Sequence, residues 1–105
     1  MSSKWAVVHT PEFEQELKDI YSYIANTLLV PDTAKKQVLR IFDVVESLDT
    51  MPLALPLYNK EPWSSKGLRK IVVDNFIIFF MPNEKTKEVY ILHIFYGGRN
   101  IDELL

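Results

Sequence analysis

The chain has 105 residues, 48% of them hydrophobic and 25% charged, and a formal net charge of -2. That describes a single domain, residues 1–105, with room for one ordinary core and no disordered or low-complexity tract. With Cys 0 there is no disulfide framework and no thiolate metal site, and a pI ≈ 5.6 argues against a strongly basic nucleic-acid binder.

The opening Met1-Ser-Ser-Lys-Trp-Ala-Val-Val has no signal-peptide apolar core, and no run approaches the ~20 apolar residues that a membrane span needs. A cytoplasmic address without membrane attachment is therefore expected. Trp5 to Val8 reads as a first strand. Thr10 is placed to cap a helix, Pro11 suits its first position, and Glu12 and Glu14 favour its positive end. In that helix Phe13, Leu17, Ile20, Tyr21 and Ile24 form one apolar stripe, and Glu14, Lys18 and Ser22 form the solvated face. Asn26 to Val30 breaks it. Pro31-Asp32-Thr33 starts a second helix with the stripe Ala34, Val38, Ile41, Val45 and Leu48, and the short connection predicts an antiparallel hairpin.

From Met51 to Lys66, Pro52, Pro56 and Pro62 prevent regular helix or central strand. Leu53, Leu55, Leu57, Tyr58 and Trp63 give this loop apolar contact points, so it is expected to pack along a sheet edge. Between Gly67 and Arg99, three runs crowded with β-branched and aromatic residues are punctuated by Asp74-Asn75 and Pro82-Asn83. They predict a three-stranded antiparallel meander. Asn100 to Leu105 is long enough for one helical turn, which must dock to be stable. The order strand, helix, helix, then strands is that of an α+β domain with its helices on one face of the sheet.

Polar residues on the apolar runs stand out: Arg69 and Lys70 on the first, His93 on the third, and Arg99 after Gly97-Gly98. Arg69 and Lys70 are adjacent on a strand and must point to opposite faces. A lone strand histidine such as His93 is more often hydrogen-bonded structure than catalyst. His9, at the strand-to-helix junction, has the same structural explanation. Tyr96 is placed to donate a proton or stack on a base, or else simply to pack. Arg99 either contacts a phosphate or acidic partner, or pairs with Asp102 or Glu103. Two His without Cys, and no ligand spacing, predict no metal or cofactor.

The set His9-Thr-Pro-Glu-Phe-Glu-Gln-Glu-Leu17, Leu68-Arg-Lys-Ile-Val-Val-Asp-Asn-Phe-Ile-Ile-Phe-Phe80 and Val89-Tyr-Ile-Leu-His-Ile-Phe-Tyr-Gly-Gly-Arg-Asn100 resembles the RelE/ParE family of bacterial type II toxins. The resemblance covers nearly the whole chain. It implies a compact toxin neutralised by a cognate antitoxin, with operator DNA met only through that antitoxin. RelE-like members cut messenger RNA in the ribosomal A site; ParE-like members poison DNA gyrase. RNA cleavage without a metal requires side chains that move protons and stabilise phosphate charge. The matching candidates are Lys70, His93, Tyr96 and Arg99, while Arg69, Lys70, Tyr96 and Arg99 are candidates for contacting target or antitoxin. Where RelE-like members carry a key Arg in the penultimate strand, this chain has Ile77, and where they carry a late Tyr it ends in Leu104-Leu105. The resemblance therefore implies a ParE-like gyrase poison; the alternatives are a RelE-like endoribonuclease acting with ribosome and mRNA, or a toxin-derived binding module without toxicity.

Overall fold

The computed structural model describes residues 4–98 and 101–105. Strand β1 (Ala6–His9) leads into helix α1 (Pro11–Ser22), and a π-helical turn (Tyr23–Thr27) carries it on before α2 (Pro31–Glu46) returns. Thr10 caps α1 through its side chain, which accepts from the Phe13 N–H, and Pro11 takes the first helical position. The expected break thus lies later than Asn26. Leu28 closes the π turn onto the Tyr23 carbonyl, and Leu29 then reverses the chain at φ 59, left-handed backbone that a leucine rarely adopts.

After α2, two short 3-10 turns and a one-turn helix α3 (Trp63–Lys66) lead to β2 (Arg69–Val73), β3 (Phe76–Asn83) and β4 (Glu88–Tyr96). Among the described residues the sheet runs β1-β4-β3-β2. The meander is antiparallel as its sequence predicts, whereas β1 adds parallel to β4, pairing Ala6 with Glu88 and His9 with Ile91. The proline-rich loop lies along the outer edge of β2. The Tyr58 N–H donates to the Leu68 carbonyl at 2.8 Å and the Lys70 N–H to that of Pro56 at 3.3 Å, so a potential pairing edge is closed.

Each face of the sheet has its own apolar cluster. On the first, Phe13 of α1 and Ile41, Val45 and Leu48 from α2 onward pack on Val73, Ile78, Phe80, Val89, Ile91 and Ile94. Phe13, Leu17 and Ile20 of the first predicted stripe and Ile41, Val45 and Leu48 of the second supply this core, whereas Ile24 and Val38 are only half-buried outside it and Tyr21 is 40% exposed. On the second face Tyr58, Leu68, Phe79 and Phe95 are buried beneath Trp63, Ile101, Leu104 and Leu105. Here the terminal turn α4 (Ile101–Leu104) docks, as so short a helix must. Each fully buried side chain of this size contributes about 1.5–3 kcal/mol from its removal from water. Among the described residues no helix is long and apolar enough to cross a membrane.

Candidate functional site

Strand register decides which candidate side chains can act together. Lys70 pairs with Phe79 and Phe79 with His93, so these residues form one row across the second face. Tyr96 pairs with Phe76, and Arg69 with Phe80, on the first face. Lys70 and Tyr96 therefore project from opposite faces. Ile77, half-buried, belongs to the second face, where it packs against the cluster containing Phe79 and Phe95. Arg99 falls outside the described residues.

Arg69 is committed to the fold: its guanidinium donates to the Leu55 carbonyl and, at 3.2 Å, to that of Leu53, clasping the proline-rich loop. Lys70 lies with its ammonium 5.9 Å from the centre of the Tyr58 ring, a cation over an aromatic face. Tyr96 is 53% exposed at the sheet end, its ring edge-on to Phe76. Beside it the Gly97 N–H donates to the Asn75 carbonyl at 2.8 Å, and a Cβ at Gly98 would come within 3.0 Å of the Tyr96 ring. The glycine pair therefore serves close packing of the strand end.

His93 is reached by a carboxylate that the sequence did not mark. Beyond Ile91, β1 has ended and β4 needs another neighbour. Thr10 first takes up the slack, its hydroxyl donating to the Ile91 carbonyl at 2.6 Å. Glu16 of α1 then accepts from the Ile94 N–H at 3.0 Å and from His93 Nδ1 at 3.0 Å. The pairing skips Leu92 between Phe80↔Ile91 and Phe79↔His93, a bulge immediately before His93, whose Nδ1 meets Glu16 where β1 no longer covers the edge of β4. Glu16 follows Phe13 by three positions and precedes Ile20 by four, which places it beside the buried stripe. A carboxylate there must find donors, and that was the available signal.

At the other end of the sheet, Asp74 of the β2–β3 turn accepts from Gln37 at 2.9 Å and from Arg40 at 3.1 Å, tying turn to α2. The Gln37 hydrogen bond, with that of Arg40 and its charge, holds this carboxyl below the usual range against the opposing effect of lost water. Between the helical hairpin and this sheet end lies an open groove of about 790 Å³, bordered by Glu16, Asp19, Tyr23, Leu28, Phe76 and Tyr96 among others. The adjoining tip exposes Leu28, Leu29 and Val30.

Residues 7–101 match the family described as ParE toxin of type II toxin-antitoxin system, parDE. No curated protein sequence matches the chain. Among solved structures, it is similar to the chromosomal ParDE toxin–antitoxin system from P. aeruginosa, at TM-score 0.74 and 24% identity, covering 90% of this chain and 98% of that one. It is also similar to the toxin–antitoxin complex RelBE2 from Mycobacterium tuberculosis, at TM-score 0.66 and 13% identity, covering 89% and 98%. At such identities these likenesses speak for the fold alone, and the family match carries the assignment. A strand, a helical hairpin and an antiparallel meander, matched over nearly their whole length, place this chain in the ParE toxin family of type II toxin–antitoxin systems.

Proposed function

We propose that this chain is a single-domain, cytoplasmic ParE-like toxin that arrests growth by poisoning DNA gyrase and is neutralised by a cognate antitoxin. The observation that carries the choice of target is Ile77. At the position where the ribonuclease branch carries Arg, this chain packs a half-buried aliphatic side chain into the second-face cluster. Removing one preorganised donor from a charge-developing transition state typically costs ~100- to 1,000-fold in rate. The opposite facing of Lys70 and Tyr96 supports the same reading, since a proton-transfer pair must share a site. The groove and the leucine-rich hairpin tip supply apolar surface for an antitoxin, because contiguous exposed apolar area commonly marks a partner site.

Two assays on one purified toxin test the target. Stabilised gyrase–DNA cleavage, with mRNA on translating ribosomes left intact, is the expected result. Prompt A-site cleavage that is lost in Lys70→Ala or Tyr96→Phe, with gyrase unaffected, would replace this reading by the ribonuclease one.

A further inference from the structure

His93 is held more completely than packing requires. It follows the bulge at Leu92, and its ring stacks on Phe95 with centroids 5.0 Å apart and planes 19° from parallel. Its Nδ1 lies 3.0 and 3.3 Å from the Glu16 oxygens. Capping the Ile94 N–H occupies only one of those oxygens, so the strand edge alone does not call for a histidine here.

An ionised carboxylate can only accept, so Nδ1 carries the hydrogen. Among the described residues Nε2 has no partner. Every buried side-chain nitrogen or oxygen among the described residues has one, so Nε2 must be open to solvent. In the neutral imidazole it is a lone pair in a fixed plane, the arrangement by which a carboxylate sets a histidine tautomer for work at its other nitrogen.

We propose that His93 contacts the protein this toxin binds, and that Glu16 is its positioning residue. By fixing the Nδ1–H tautomer, Glu16 presents Nε2 as acceptor to a hydroxyl, amide or ammonium donor on the target. The proposal rests on the reading of the chain as a growth-arresting toxin with a protein target, and not on that target being gyrase.

Three substitutions separate orientation from structure. In Glu16→Gln the amide oxygen still accepts from the Ile94 N–H while the amide N–H faces Nδ1, which moves the ring hydrogen to Nε2 and turns acceptor into donor. His93→Asn keeps a donor for Glu16 but ends short of Nε2. His93→Gln restores an amide oxygen near the Nε2 position. The expected result, in growth arrest titrated by inducer, is a loss of about tenfold or more in potency for Glu16→Gln and His93→Asn, the scale of one lost interfacial hydrogen bond. His93→Gln should stay near wild type, with all melting temperatures close together. Nitrogen-15 spectra at pH 8 should show hydrogen on Nδ1 in the wild type and on Nε2 in Glu16→Gln. Wild-type potency in His93→Asn, or an Nε2–H ring in the wild type, would overturn the proposal. If the wild type leaves gyrase untouched while these two variants lose growth arrest, the gyrase reading fails and this one stands. If the wild type poisons gyrase and both variants match it, the reverse holds.

Discussion

Asp74, at the tip of the β2–β3 turn, accepts a hydrogen bond from Arg40 of α2 at 3.1 Å across a sequence separation of 34 residues. With Gln37 beside Arg40, the turn is fastened to the helix layer, and the fastening is acid-labile. Because the folded-state carboxyl titrates below its ordinary value, its stabilisation is fully present above the unfolded value, near ~3.9, and is lost as pH falls through the lower folded value. Asp74 sits at φ 53, which Asn tolerates, so Asp74→Asn removes the charge without backbone strain. The variant should melt below the wild type at pH 7, and in thermal scans the difference should close as pH falls through the lowered folded-state value. A difference that persisted there would assign the loss to something other than the carboxylate.

Arg69 offers a contrasting case, a cation that the sequence singled out for partner contact and that the fold uses internally. Truncating it leaves the Leu53 and Leu55 carbonyls without their charged donor. Arg69→Ala should cost about 1–3 kcal/mol and raise amide exchange at Tyr58 and Lys70, whose N–H groups hold the loop to β2. Lys70→Ala should leave stability nearly unchanged, since a cation 5.9 Å from the centre of the Tyr58 ring is a weak contact. Equal losses in both variants, measured by denaturant unfolding, would contradict this division.

Local physical signals made most of the fold legible in the sequence. Thr10-Pro11 starts α1, the period of Ala34, Ile41 and Val45 marks α2, and the apolar residues of the proline-rich loop point to its course along the sheet edge, though Trp63–Lys66 forms one helical turn after the last proline where no helix is expected. What escaped depends on partners distant in sequence. Nothing in Ala-Val-Val-His announces that Val7 will pair in parallel with Val89, and the succession of apolar residues around His93 in β4 conceals the bulge at Leu92. Glu16 was overlooked for the same reason: its value lies in a strand N–H 78 residues away. Of the candidate site, the opposite facing of Arg69 and Lys70 followed from strand alternation, whereas the separation of Lys70 from Tyr96 required the register.

Leu29 is 77% exposed and sits at φ 59, where a residue with a Cβ is strained. Left-handed backbone costs an L-residue about 1–2 kcal/mol, partly offset in glycine by its greater unfolded-state freedom. Leu29→Gly should therefore raise stability by roughly 0.5–1 kcal/mol. If the tip serves the antitoxin, the same change should weaken antitoxin binding through loss of exposed apolar surface, making the variant more stable and less easily neutralised. Calorimetric melting and titration with the antitoxin measure the two effects separately. Unaltered affinity would remove Leu29 from the antitoxin surface.

Ile77 allows the proposed target to be challenged by an attempted gain of function. Introducing Ile77→Arg restores the residue type that the ribonuclease branch carries there, but into the second-face cluster beside Phe79 and Phe95. A guanidinium at a half-buried apolar site loses water without a built partner, so the variant should be destabilised by about 1–3 kcal/mol. It should also remain inactive on ribosome-bound mRNA, because the missing donor is not the only deficit. The register keeps Lys70 and Tyr96 on opposite faces, and a single arginine cannot bring an acid and a base to one scissile phosphate. Primer extension on translating ribosomes, run on variant and wild type at matched folded concentration, gives the answer. A-site cleavage appearing in Ile77→Arg would mean that one side chain separates the two activities and that Lys70 and Tyr96 meet across the sheet end after all.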